Sequence, residues 1–146
     1  MMKTLRRWSP MLATVWLLTA VGEPVVLAAE PFQSSLSLVI PVAADGVQRA
    51  RVTLDSYSYS PNHLIVEAGK PVELILTSVT TITPHNFIIK GPVGSLFVEQ
   101  EVSAGKTVTI TFTPTQPGTF PIYCDKRLWP MPSHREKGME GTLEVR

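Results

Sequence analysis

The chain has a single cysteine, Cys124, among 146 residues, so no disulfide can close within it and the fold has to rest on its apolar core. Charge is scarce as well. Charged residues make up 17% of the chain, and thirteen basic against twelve acidic side chains leave a formal charge of +1. That balance excludes a polybasic nucleic-acid surface and an acidic disordered tail. The apolar run at residues 11–21 has eleven residues, short of the ~20 that span a bilayer. From residue 30 onward no ten-residue window carries a 3.6-residue apolar period, because Pro, Gly or β-branched runs interrupt each candidate. A helical bundle is thereby excluded, and an all-β domain remains.

What is present at the start has the order of an export signal. Lys3, Arg6 and Arg7 precede the apolar run, Gly22, Glu23 and Pro24 break it, and the small residues Ala28 and Ala29 suit a signal peptidase. Residues 1–29 are therefore expected to be a cleaved secretory signal, and residues 30–146 the mature, periplasmic domain. The Arg6-Arg7 pair, flanked by Thr4, Leu5 and Trp8, matches a twin-arginine signal in part, so both export routes stay open. The mature domain would have 117 residues with ten basic and eleven acidic side chains. A domain of that size hides about 65% of its unfolded surface and folds without a structural metal, so any metal it binds is functional.

Alternation of apolar and polar residues marks strands at residues 36–40 and 50–57, with turn chemistry at Ala43-Ala44-Asp45-Gly46 and Ser60-Pro61-Asn62. Residues 66–77 and 102–113 repeat each other, six of twelve positions being identical. Each copy reads as a strand end, a Gly-containing turn and an alternating strand, which suits equivalent hairpins in opposed sheets. Further strands are expected at residues 85–89, 118–123 and 141–145. The whole predicts a β-sandwich of about seven or eight strands. His63, in a turn entering a strand, is read as structural.

The last two strands are joined by a segment that carries Cys124, His134 and Met139 in that order, while His85 stands at a strand start. A loop at one end of a sandwich can turn these groups inward together. Thiolate, two imidazoles and a thioether form a soft, low-symmetry set that suits copper in both Cu(I) and Cu(II) states. Structural zinc sites prefer more thiolates, and catalytic zinc rarely recruits methionine.

With those residues in view, Pro84-His85-Asn86-Phe87, Tyr123-Cys124 and His134-x4-Met139-x-Gly141 resemble the blue-copper proteins, or cupredoxins, of the plastocyanin and azurin kind. The resemblance spans residues 52–145. It implies a Greek-key β-sandwich holding one copper ion through His85, Cys124 and His134, with Met139 as a long axial ligand and Asn86 tying the two ligand loops together. The chain departs from the simplest members in the Cys-to-His interval, where nine residues intervene instead of two to four. Closing a longer loop costs only about 0.6 kcal/mol per doubling of its length. Two alternatives to the axial ligand stay open: Met131, and Glu136, whose carboxylate would make a red rather than a blue centre.

The expected role is that of a monomeric, non-enzymatic one-electron carrier serving a redox partner protein, with docking to a membrane redox complex allowed. A copper-delivery protein and a mononuclear copper enzyme are the alternatives. Leu128-Trp129-Pro130-Met131-Pro132 is apolar for a loop and reads either as a docking surface or as packing onto the sandwich end. Lys126, Arg127, Arg135 and Lys137 surround it with positive charge.

Overall fold

Strand-forming alternation dominates the computed structural model, which describes residues 36–92 and 97–146. The strands are β1 (Ser37–Val39), β2 (Gln48–Asp55), β3 (Ser58–Ser60), β4 (His63–Val66), β5 (Val72–Ser78), β6 (His85–Lys90), β7 (Phe97–Val102), β8 (Thr107–Phe112), β9 (Gly118–Tyr123) and β10 (Glu140–Val145). They form a six-stranded sheet in the order β1-β4-β10-β9-β6-β7 and a four-stranded sheet in the order β3-β2-β5-β8. The chain runs β6, β7, β8 and returns as β9 beside β6, with β8 in the facing sheet, which is a Greek key folded across the sandwich. Among the described residues no helix is long and apolar enough to cross a membrane. The leader read at residues 1–29 lies outside the described residues.

The all-β sandwich is as expected, and the higher strand count comes from short pieces. β3 (Ser58–Ser60) lies between the strand expected at 50–57, which ends at Asp55, and the turn expected at Ser60-Pro61-Asn62, while Val66 and Val102 end separate strands, β4 and β7. The repeat needs a correction. Neither copy is a hairpin; each crosses from the six-stranded sheet to the four-stranded one, as β4 to β5 and as β7 to β8. The two arriving strands then pair with each other, antiparallel, with Val72 opposite Phe112 and Thr77 opposite Thr107. Both crossings turn at a glycine in the left-handed region, Gly69 with φ 73° and Gly105 with φ 66°, where a side chain would be strained.

Inward positions fill the space between the sheets. In β5, Val72, Leu74 and Leu76 are buried and alternate with half-exposed residues, as a strand with one face on the core requires. β6 lies between β9 and β7 and is buried from His85 to Ile89. Gln48, wholly buried in β2, is satisfied by the backbone of Glu67: its amide donates to the carbonyl at 3.2 Å and its Oε1 accepts from the N–H at 2.8 Å. The β6–β9 ladder ends at Ile122, next to Pro121, which has no N–H to offer it.

One connection is strained. β2 turns into β3 through Ser56 and Tyr57 alone, since Asp55 pairs with Ser58. Tyr57 adopts φ 62°, a conformation that costs a residue with a Cβ about 1–2 kcal/mol and that glycine normally supplies in such turns.

Candidate metal centre

Sheet register brings the ligand candidates to one end of the sandwich. Ile88 of β6 pairs with Tyr123 of β9, so Cys124, one residue past β9, arrives alongside the first residues of β6. Asn86 fixes that meeting. Its backbone N–H points at Cys124 Sγ at 3.4 Å, its side-chain amide donates to Asp125 Oδ1 at 2.7 Å, and its Oδ1 accepts the Asp125 N–H at 3.1 Å. The tie between ligand loops that the resemblance implies for Asn86 is thus made through Asp125. From the facing sheet the buried Tyr59 hydroxyl donates to the Asn86 carbonyl at 2.7 Å, and its ring packs edge-on against Phe87. Burial keeps that phenol protonated, as a donor must be.

His134 is placed by a single turn of chain capped at both ends. Ser133 Oγ accepts the Glu136 N–H at 3.2 Å while a Glu136 carboxylate oxygen accepts the Ser133 N–H at 2.6 Å and its hydroxyl at 2.7 Å, a reciprocal capping box. At the other end Gly138, with φ 96°, donates to the Arg135 carbonyl, and Met139 N–H donates to the His134 carbonyl at 2.9 Å, which is a Schellman closure. His134 and Met139 are therefore linked to each other by backbone. Met139 is linked to Cys124 as well, because its carbonyl accepts the Cys124 N–H at 3.2 Å where the β9–β10 ladder ends.

The outcome is a buried cluster in which one ligand atom from each of His85, Cys124 and His134 lies within 4.8 Å of the others. Cys124 Sγ is 3.4 Å from His134 Nδ1, and the two imidazole centroids are 5.1 Å apart. His85 and Cys124 are fully buried, and His134 is 8% exposed. Both ring nitrogens of His85 are buried without a hydrogen-bond partner. A buried, unsatisfied polar atom costs about 1–3 kcal/mol, a cost a coordinated metal would offset. The donor set, two nitrogens and one sulfur with the Met139 thioether buried in the adjoining core, fits copper by softness.

Electrostatics keep both imidazoles of the cluster unprotonated at neutral pH. Burial, reinforced by the neighbouring His134, lowers the His85 pKa to about 4, so the ring is neutral and its lone pair free at neutral pH. Burial likewise lowers His134, with the Lys137 and Lys126 ammoniums adding to the effect. Burial raises the Cys124 thiol, so metal binding has to displace its proton.

The remaining sequence candidates sit differently. Met139 is fully buried in the core beside the cluster. Met131 is 47% exposed and lines an outer cleft. Glu136 is occupied by Ser133 and Arg127, and these contacts hold its carboxyl below the usual range. The Ser133-x-x-Glu136 spacing is the sequence signal for that capping role, and it leaves the carboxylate unavailable as the ligand alternative to Met139. His63 bonds Ser37 Oγ and Glu144 on the other side of β10 from the cluster's strands, as a structural residue would. Two supporting residues, Tyr57 and Tyr59, carried no sequence signal beyond their aromatic character.

A cleft of about 420 Å³ is lined by residues of the nine-residue insert, by Ile82 and Pro84, and by His134. Leu128 and Trp129 are 71% and 82% exposed, so they do not pack onto the sandwich end.

Comparison with solved structures shows the same fold at low identity. The metal-binding domain of the Cu(I)-exporting P-type ATPase CopA of Streptococcus pneumoniae D39 is similar over 77% of this chain and 97% of its own, with 19% identity and a TM-score of 0.58. Dithionite-reduced auracyanin from Roseiflexus castenholzii is similar over 71% and 99%, with 20% identity and a TM-score of 0.55. A multicopper oxidase matches 73% of this chain and 45% of its own, with 17% identity and a TM-score of 0.55. No curated protein sequence matches the chain. The cupredoxin-like domain family matches residues 12–143, and the chain belongs to that family.

Proposed function

We propose that the chain is an exported, monomeric one-electron carrier that binds one copper ion through His85, Cys124 and His134, with Met139 as a weak axial ligand. The observation that carries this reading is the buried His85, with both ring nitrogens unpartnered, in a cluster whose ligand atoms lie within 4.8 Å of one another. Copper, when bound, supplies a Cu(II)/Cu(I) couple whose two states share this mixed nitrogen and sulfur set.

The chain's own part is to hold the ligands still and dry. The Asn86–Asp125 pair fixes Cys124, the Asn86 N–H gives the sulfur a hydrogen bond, and the doubly capped turn fixes His134 and Met139. Ligands that keep their places in both oxidation states lower the rearrangement needed to move an electron. His134 is the ligand that borders the outer cleft, so a redox partner would approach there, over Ile82, Leu128, Trp129 and Met131. On the rim of that cleft Lys126 is paired with Glu101 and Arg127 with Glu136, so Lys137 is the cation that would meet an acidic partner. The leader pattern supports export to the periplasm, and likeness of fold to auracyanin A of Chloroflexus aurantiacus, a blue copper protein, supports the copper reading.

A second reading, transfer of Cu(I) to another protein, is favoured by the exposed thioether of Met131 in the cleft beside His134. Voltammetry separates the two. A carrier gives a reversible one-electron wave with the metal retained over repeated cycles, and Cys124→Ala abolishes it. Loss of the metal on reduction would favour transfer.

A further inference from the structure

Tyr57 stands where the backbone asks for glycine. The two-residue β2–β3 turn has its positive φ at the second central position, the place of glycine in a type II turn, and a bulky aromatic residue occupies it. Strain of this kind persists only where the surroundings fix it.

The surroundings here are the metal centre. The Tyr57 ring meets the His134 imidazole edge to face, with centroids 5.1 Å apart and planes at 76°. On its other contact, the Lys137 ammonium lies 4.3 Å from the Tyr57 ring centroid and donates to the Tyr57 hydroxyl at 3.0 Å. Lys137 belongs to the capped turn itself, its backbone N–H donating to the carbonyls of Ser133 and His134. The contact therefore closes a ring of interactions from the four-stranded sheet through Tyr57 to Lys137 and back to His134.

We propose that Tyr57 and Lys137 form a clasp that holds the His134 imidazole in the orientation facing Cys124 and keeps an ammonium at the rim of the metal centre. The clasp rests on the copper reading for its redox consequence, and on the chain alone for its positional one. Tyr57 is a positioning residue. It is not a relay for the electron, because oxidising a tyrosine requires a base to take its proton and the group at its hydroxyl is an ammonium, which has no lone pair to accept one. A fixed positive charge beside the ligands disfavours the more highly charged metal state, so the clasp favours Cu(I) over Cu(II).

Two variants of the full chain test this. Tyr57→Gly removes the ring and its packing on the core but relieves the positive-φ backbone, which offsets part of that loss, so the protein stays folded. Lys137→Met keeps the aliphatic stem and removes the charge. In the copper-free protein, the His134 ring resonances in Tyr57→Gly are expected to lose the ring-current shift and to broaden or average. In the copper-loaded protein, Lys137→Met is expected to move the ratio of Cu(II) to Cu(I) affinity at least about threefold toward Cu(II), a potential lower by about 30 mV for one electron. His134 resonances and a potential unchanged in both variants would overturn the clasp and leave Tyr57 an ordinary turn residue. Failure of the parent protein to bind copper would instead overturn the copper reading and the tuning with it, while the copper-free spectra still decide the positional role.

Discussion

His85 and Cys124 show how far residue types alone carry the reading. One cysteine, a histidine ten residues later and a methionine five beyond it were legible as a candidate ligand set because thiol, imidazole and thioether together suit a soft metal. Their environment was not legible, since burial depends on the facing sheet. His85 is neutral in the fold with a pKa of about 4, against about 6.5 in the unfolded chain. The unfolded state thus binds more protons in that window, so the stability His85 permits is intact above about pH 6.5 and is lost as pH falls toward 4. Urea unfolding of the copper-free protein should show its midpoint falling across this range. His85→Leu, which keeps an apolar filling and removes the titrating ring, should flatten the slope by the share that His85 contributes. An unchanged slope would place the titration elsewhere.

Among the elements, β1, β2, β5, β6, β8, β9 and β10 were legible because each carries an alternation or an apolar run bounded by turn residues. The repeat was legible as a repeat but not as a pair of crossings, because the local pattern of strand, glycine turn and strand is the same whether the second strand pairs with the first or crosses to the facing sheet. Only the partners, supplied by the rest of the chain, decide it. β3 escaped because three residues between a tight turn and Pro61 carry no period. Gly141 in β10 is another element-level choice with a reason the sequence hides. A Cβ there would collide with the Asn62 carbonyl, which also accepts the Thr142 N–H at 2.7 Å. Gly141→Ala is expected to destabilise the fold by about 1–3 kcal/mol, as overpacking does, by forcing β10 away from the start of β4. Thermal unfolding would read this as a lower Tm, and a Tm equal to the parent's would show that the strands yield without cost.

The whole molecule places its candidate ligand cluster at the end of the sandwich where the insert, the β2–β3 turn and the residues before β6 meet, and leaves there an apolar cleft bordered by the Lys137 ammonium. That the insert stays exposed could not be read from its composition, which suits packing and docking equally. Association with an acidic redox partner should therefore slow as ionic strength rises, because exposed charges more than about 10 Å apart are screened at 0.1 M salt. Stopped-flow rates that ignore salt would leave the apolar residues alone to guide the encounter. The most direct measurement is an optical and EPR titration of the purified protein with Cu(II). A strong red-region band that saturates at about one equivalent, has narrow copper hyperfine splitting and is absent from Cys124→Ala is the predicted result. No band, or a band that survives Cys124→Ala, would contradict the assignment of Cys124, His85 and His134 as a copper centre.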